Sequence, residues 1–303
     1  MTELLSTVKL SKRYGRRFAL QDADVQIHQG DIYGLIGRNG AGKTTLLKLI
    51  NSQIRATAGE IHMQGQKMAF GRPPMRIGAL VESPGLLPDA TAIDNMLFKC
   101  AATGQNKKGH AQQLLRMVEL HDTGKKKAKQ FSLGMKQRLA IALAMVNDPQ
   151  LLLLDEPING MDPQGIKDMR LMLTRINREM GVTILISSHI LDELAKFATS
   201  YGIIKDGRVL RQFSRQQLEQ ENRSDIEIIS PEIDRVEQEL RQTFNLSGMQ
   251  RLEGNRLVLH EGMENSDTIS RRLFDQRIYV SQFTVRHQSL EDYFMGLTGG
   301  GNE

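Results

Sequence analysis

Gly37-Arg38-Asn39-Gly40-Ala41-Gly42-Lys43-Thr44 is the stretch on which the reading of this chain turns. Two glycines separated by four residues, then lysine and a hydroxyl residue, form the pattern of a loop that wraps phosphate. Average composition yields such an octet by chance in about one chain of this length in a hundred. Its flanks agree with it. Ile32–Ile36, short and apolar, reads as a strand that runs into the loop, and Lys43–Ile50 reads as a helix that leaves it. In a strand–loop–helix, backbone N–H groups converge on the phosphates while the helix N-terminus adds positive potential. Lys43 then reaches the β- and γ-phosphates, and Thr44 offers its hydroxyl to magnesium. A glycine turn with an ordinary surface lysine is the bland alternative, and the flanking elements argue against it.

Outward from the loop, further strands are expected at Ala19–Ile27, Gly59–Met63, Ile77–Val81, Leu151–Asp155, Val182–Ser187, Tyr201–Ile204 and Arg208–Phe213. Pro163–Met180 carries Ile166, Met169, Leu173 and Ile176 at helical spacing, with proline suited to its first turn. Alternating strands and helices predict an α/β core. Residues from about 88 to 149 differ. They read as helix after helix (Ala92–Ala101, Gly109–Leu120, Leu133–Asn147) and form an inserted helical subdomain. Ser214 with Gln217 resembles a capping box and opens a polar helix to about Asn222, where the character of the chain changes. The expected domains are therefore 1–222 and a small α+β domain at 223–303. The tail reads as strand (Asp225–Ile229), helix (Pro231–Phe244), strand pair (Met249–Leu252, Arg256–His260), helix (Ser266–Phe274), strand (Arg277–Thr284) and a helix from Ser289. That order suits a split βαβ module, and Gly299–Glu303 reads as a frayed end.

Leu151-Leu152-Leu153-Leu154-Asp155-Glu156 complements the loop, since a strand apolar on both faces delivers two carboxylates at its end. Asp155 suits a magnesium shell, and Glu156 can polarise an attacking water as general base. The pair could simply cap the strand, a reading that the phosphate loop disfavours. Ser187-Ser188-His189 follows the next strand, where a neutral imidazole could hydrogen-bond the γ-phosphate and hold that water. The other histidines (His28, His62, His110, His121, His260, His287) carry no such context and read as ordinary ones.

Phe131-Ser132-Leu133-Gly134-Met135-Lys136-Gln137-Arg138 precedes the Asp-Glu strand as the signature loop does in ATP-binding-cassette (ABC) ATPases, whose usual form is Leu-Ser-Gly-Gly-Gln. The chain resembles that family over roughly residues 4–220, from Tyr14, where the family stacks an aromatic on adenine, to Asp162 of the D-loop and His189 of the switch. The resemblance implies a P-loop NTPase cassette that binds ATP and Mg2+, with Lys43, Glu156 and His189 catalytic. It implies nucleotide contacts from Tyr14, Gly37, Arg38, Asn39, Gly40, Ala41, Gly42, Lys43, Thr44, Thr45, Ser132, Gly134 and Met135. Metal contacts fall to Thr44, Glu82 and Asp155. It further implies a head-to-tail pair of cassettes, in which Ser132 and the Gly134 backbone of one cover ATP held by the other, and a separately encoded membrane permease. Three departures stand out. Glu82 occupies the place of the Q-loop glutamine; Leu133 and Met135 replace the first glycine and the glutamine of the signature; Asn159-Gly160-Met161-Asp162 replaces the commoner Ser-Ala-Leu-Asp. Val81-Glu82-Ser83-Pro84, the Ser-Leu-Gly-Met-Lys-Gln-Arg-Leu stretch from Ser132 to Leu139, and the ending Ser289-Leu290-Glu291-Asp292-Tyr293-Phe294 together are similar to the bacitracin and lantibiotic-resistance branch of bacterial exporters.

Composition limits the alternatives. With 303 residues, 40% hydrophobic and 25% charged, the chain can build a large core, and apolar runs such as Ile141–Val146, which Leu139 and Ala140 extend, are far short of the ~18 residues that span a bilayer. The first ten residues carry Glu3 and no basic segment before an apolar core, so no secretory signal is read, and a cytoplasmic protein peripheral to the inner face of the membrane is expected. Cys100, the single cysteine, sits among Met96, Leu97 and Phe98 and reads as a buried structural thiol. The charge of +5 would suit polyphosphate, an anionic membrane or nucleic acid, but no tryptophan and no interleaving of basic and aromatic residues make a nucleic-acid surface the weaker reading. Lys125, Lys126, Lys127 and Lys129 read as a solvated face. A P-loop kinase or GTPase would leave the Ser132 loop unexplained, and no Asn-Lys-x-Asp guanine motif is present. A regulatory module without turnover is disfavoured by Glu156 and His189. The serious rival is a non-transport ABC ATPase of translation or DNA repair. Such proteins usually carry two cassettes or a long coiled coil.

Overall fold

The computed structural model describes every residue except Met1, 83–84, 106–107, 222–223, 245, 247, 261–264, 288–289 and 299–303. The expected frayed end, the Ser83-Pro84 pair, Ser289 and the Asn222 boundary lie outside the described residues. The chain divides into two compact units, Met1–Arg215 and Gln216–Glu303.

The first unit runs β1 (Glu3–Tyr14), β2 (Arg17–Ala23), β3 (Gln26–His28), β4 (Ile32–Ile36), α1 (Lys43–Ile50), β5 (Ala58–Met63), β6 (Gln66–Lys67) and β7 (Ile77–Leu80). Helices follow: α2 (Ala92–Ala102), α3 (Lys108–Met117) and α4 (Leu133–Met145), the inserted helical stretch. Then come β8 (Leu151–Asp155), α5 (Pro163–Met180), β9 (Thr183–Ser188), α6 (Leu191–Ala195), β10 (Ser200–Lys205) and β11 (Arg208–Ser214). Two sheets result. The antiparallel one has the order β2-β1-β5-β6 with β3 also on β1; the other has the order β11-β10-β4-β9-β8-β7, parallel except for β11. One apolar cluster joins Leu5, Leu10 and Leu20 of the first sheet, Leu35, Leu153 and Leu185 of the second, and Leu46, Leu47 and Ile50 of α1. That burial fixes α1, and with it the loop before it.

Parallel strands buried on both faces explain the unbroken apolar runs, and β4, β8 and β9 are buried along almost their whole length. The opening differs from expectation. The run Ala19–Ile27 is broken into β2 and β3, which pair with different parts of β1, and β1 itself, the longest strand, is not foreseen. Its pairings carry register shifts, and Lys9 and Asp22 sit at positive φ, so the period-2 pattern that signals a strand is interrupted. Cys100 is buried, as read, and burial pushes its thiol pKa up.

The second unit runs α7 (Arg215–Glu221, whose first residue closes the first unit), β12 (Ser224–Ile229), α8 (Ile233–Phe244), β13 (Met249–Leu252), β14 (Arg256–Leu259), α9 (Ser266–Asp275), β15 (Gln282–His287) and α10 (Leu290–Thr298). Its sheet has the order β13-β14-β12-β15 and is antiparallel throughout, with α8 and α9 linking strands that are not neighbours, the split βαβ arrangement. Ile226, Ile228, Leu257 and Leu259 of the sheet pack with Val236 and Leu240 of α8 and with Ile269 and Leu273 of α9. The last strand starts five residues later than expected. Arg277 adopts φ 53 and Ile278 turns into the core, so the apolar residues there serve a turn and not a ladder.

Candidate functional site

The phosphate loop stands where β4 ends. Gly37 and Gly42, the two glycines of the pattern, are both required by close approach: a Cβ at Gly37 would lie 2.5 Å from the Ile204 carbonyl, and one at Gly42 would lie 2.7 Å from that of Ala19. Gly42 also adopts φ 112 as it caps α1, a conformation open to glycine. The loop and the start of α1 enclose a cavity of about 180 Å³ lined by Ala19, Asn39, Gly40, Gly42, Lys43, Thr44, Thr45 and Glu156. Arg38 contributes its carbonyl to Lys43 Nζ at 3.2 Å, and the Ala41 N–H is committed to the Arg38 carbonyl at 3.1 Å.

Parallel pairing brings the other groups to the same edge of the sheet. Ile36 of β4 is level with Ser188 of β9, Ser187 is level with Asp155 of β8, and Leu154 of β8 is level with Leu80 of β7. The residues following these strands therefore gather at one end. Thr44 Oγ1 donates to Asp155 Oδ2 at 2.7 Å, and Ser187 Oγ donates to Asp155 Oδ1 at 2.7 Å. Glu156, at φ 49, donates its N–H to Ser187 and presents its carboxylate to Lys43 Nζ at 3.0 Å and to His189 Nδ1 at 2.8 Å. Lys43 is almost fully buried, and its ammonium also donates to the Gly37 carbonyl at 2.6 Å. Glu156 Oε1 is buried and lacks a well-angled hydrogen bond, which leaves acceptor capacity beside the cavity.

Glu156 is an acceptor, so His189 Nδ1 must carry the hydrogen, and Nε2 of a neutral ring is then an acceptor too. In this arrangement only an imidazolium could also donate to a phosphate oxygen. The neutral-imidazole reading fits a ring released from Glu156.

Thr44 and Asp155 offer a hydroxyl and a carboxylate within one hydrogen bond of each other, a hard-oxygen set that fits Mg2+. Glu82 sits elsewhere in the hydrogen-bond scheme: at φ 68 it accepts from Lys48 Nζ of α1 at 2.5 Å, with its side chain 63% exposed. Tyr14 stands exposed at the end of β1, one ring face covered by Lys12 Nζ at 5.0 Å. Ser132 caps α4 by accepting from the Met135 N–H at 3.3 Å, with Gly134 in the same first turn. Asp162 stands before α5, whose first residue is Pro163.

The sequence reasoning passed over Ser187, Lys48 and Ala19. Ser187 carried a signal, because a hydroxyl ending a buried strand needs a partner, and the neighbouring carboxylate supplies one. Lys48 and Ala19 carried none; their roles come from tertiary placement.

A model of the ABC transporter family matches residues 20–159. The chain is 36% identical over 302 residues to the ABC transporter ATP-binding protein YcbN of Bacillus subtilis (strain 168), covering 99% of this chain and 98% of that one. It is 35% identical to the bacitracin transport ATP-binding protein BcrA of Bacillus licheniformis, covering 99% of each. Among solved structures, a dimeric bacterial ABC transporter cassette superposes with a TM-score of 0.62 at 25% identity, covering 70% of this chain and 99% of that one. A phosphate loop facing paired carboxylates on parallel strands, with likeness to a named cassette protein along its whole length, makes this chain a member of the ABC transporter family, an ATP-hydrolysing subunit.

Proposed function

We propose that this chain works as a head-to-tail pair of cassettes, uses ATP with Mg2+, and powers export of a peptide antibiotic through a separately encoded permease at the inner face of the membrane. The observation that carries the catalytic part is the convergence of Lys43, Thr44 and Glu156 on one cavity, with Asp155 bonded to Thr44 and His189 to Glu156. Lys43 and the backbone of Gly37–Gly42, with Thr45, hold the phosphates; Tyr14 faces adenine. Thr44 and Asp155 would hold magnesium, joined by Glu82 once it leaves Lys48, and the ion would neutralise charge on the phosphate oxygens. Glu156 takes the proton of the attacking water, and His189 orients it. Ser132, Gly134 and Met135 belong to the site of the second cassette, which is why one chain is incomplete; the dimeric state of the similar cassette supports this.

Export of a peptide antibiotic is supported by the relative named for bacitracin transport, which also favours transport over translation or DNA repair. Among the described residues no helix is long and apolar enough to cross a membrane. We assign residues 1–222 to the cassette and 223–303 to an accessory domain for the dimer or the permease. The test is bacitracin susceptibility of cells lacking the chain. Wild type should restore growth at inhibitory bacitracin and the Glu156→Gln variant should not; equal susceptibility in all three strains would sink the cargo assignment.

A further inference from the structure

Two of the departures from the usual motifs touch each other. Where the family carries glycine in its signature and alanine in its D-loop, this chain carries Leu133 and Gly160. A Cβ built on Gly160 would stand 3.3 Å from Leu133 Cδ2, closer than ordinary carbon contact. A second contact runs the opposite way: a Cβ on Gly134 would stand 3.0 Å from Cε of Met161. Further along both helices, Arg138 of α4 donates to Asp168 of α5 at 3.1 Å and to Glu119 at 2.8 Å, while Gln164 holds the other Asp168 oxygen at 2.7 Å. The first turn of α4 and the loop before α5 thus approach closely through apolar groups, and the two helices are joined further in by an ion pair.

We propose that Leu133 and Gly160 are one paired adaptation. The side chain missing at 160 is the space Leu133 fills, and the seam sets where α4 presents Ser132. This rests on the reading that Ser132 and Gly134 meet the ATP of the second cassette. The physical link is short. Ser132 Oγ is committed to the Met135 N–H, so Ser132 moves with the first turn of α4, and Leu133 is the next residue of that turn. Both members are positioning residues. Neither reaches the phosphate cavity, whose lining includes neither.

The size of the effect follows from the contact. Relieving 3.3 Å takes a shift of a few tenths of an ångström; Leu133 is 45% exposed, so its own tip takes part of that shift, and with a misplacement of about 1 Å costing about a hundredfold in rate the expected loss is at most about fourfold.

The experiment uses the full chain: steady-state hydrolysis of MgATP, with binding of a fluorescent ATP analogue measured separately. Gly160→Ala should lower kcat by up to about fourfold and leave unchanged the affinity of the analogue for the dilute, unpaired chain, because the seam serves the nucleotide of a second cassette. In a Leu133→Gly background, the same Gly160→Ala change should cost less than about twofold. Gly160 has φ 75, and strain from an alanine there would act equally in both backgrounds. An equal loss with and without Leu133 overturns the proposal, as does a parallel loss of analogue affinity. If Gly160→Ala alone does not fold, the Leu133→Gly background still decides: a folded, active double variant supports the pairing and an unfolded one overturns it. Ser132→Ala tests the underlying reading by itself. Unchanged kcat there sinks the role of Ser132 while the coupling between 133 and 160 stands.

Discussion

Replacing Glu156 by glutamine removes one charge from the centre of the site and leaves its shape. The carboxylate lies 3.0 Å from Lys43 Nζ and 2.8 Å from His189 Nδ1, with the lysine side chain only 6% exposed. Stranding one member of a buried pair costs ~3–5 kcal/mol. Here the Gly37 and Arg38 carbonyls still accept from the ammonium, so about 2 kcal/mol is the fitting figure. In a unit of 215 residues that lowers the thermal midpoint by about 4–8 °C. With MgATP the γ-phosphate supplies the missing negative charge beside Lys43, so the same variant loses less of its stability. Its apparent ATP affinity then rises by up to about thirtyfold, the equivalent of 2 kcal/mol. Hydrolysis, which needs the carboxylate to accept a proton, falls by about 10²–10⁴-fold. The assay is a pair of melts, with and without MgATP, beside single-turnover hydrolysis. An identical fall in midpoint under both conditions would refute the charge argument, and a wild-type single-turnover rate would refute the assignment of the base.

Three further outcomes are expected. Glu82→Gln keeps most of the activity while Glu82→Ala weakens its dependence on magnesium; stability changes by less than about 1 kcal/mol in either, since the Lys48 pair is largely exposed, and equal magnesium titrations in all three proteins would count against a metal role. Gly78→Ala destabilises by about 3 kcal/mol in a denaturant titration, because its Cβ would meet the Ala144 carbonyl at 2.3 Å where β7 crosses α4, and an unchanged midpoint would contradict that packing. A chain ending at Glu221 folds and hydrolyses ATP but loses activation by a reconstituted permease; aggregation on expression would show that the second unit belongs to the core of the first.

What the sequence disclosed, and what it withheld, has a physical pattern. Elements buried on both faces were legible from their composition, as Leu151–Leu154 and Ile32–Ile36 show, because a strand without a wet face needs no alternation. The charges after them were legible for the complementary reason, that Asp155 and Glu156 have no place at the end of such a strand without partners. β1 was not legible. It faces solvent along part of its length, and its bulges near Lys9 shift the alternation out of phase. The candidate site was legible as a set of residues but not as a set of contacts: nothing local couples Ser187 to Asp155, or Lys48 to Glu82, across 32 and 34 residues of chain.

The same distinction bears on the departures from the usual motifs. Read along the chain, Leu133 and Gly160 are two separate irregularities, each of which would put the geometry of its own loop in doubt. In space they are a large residue and a small one side by side: the methyl group absent at 160 leaves room for the tip of Leu133, while the rest of that side chain is half exposed. Glu82 follows the same logic in charge: the carboxylate that stands for a neutral glutamine is met by Lys48 one helix away. A departure accommodated by its neighbour meets no steric clash or unpaired charge, so neither feature by itself predicts a loss of turnover. Met135, whose sulfur stands 4.0 Å from Lys126 Nζ, puts a thioether where the usual signature has a hydrogen-bonding amide. It is the position where a change in rate relative to other cassettes is to be sought first, by Met135→Gln and a measurement of kcat.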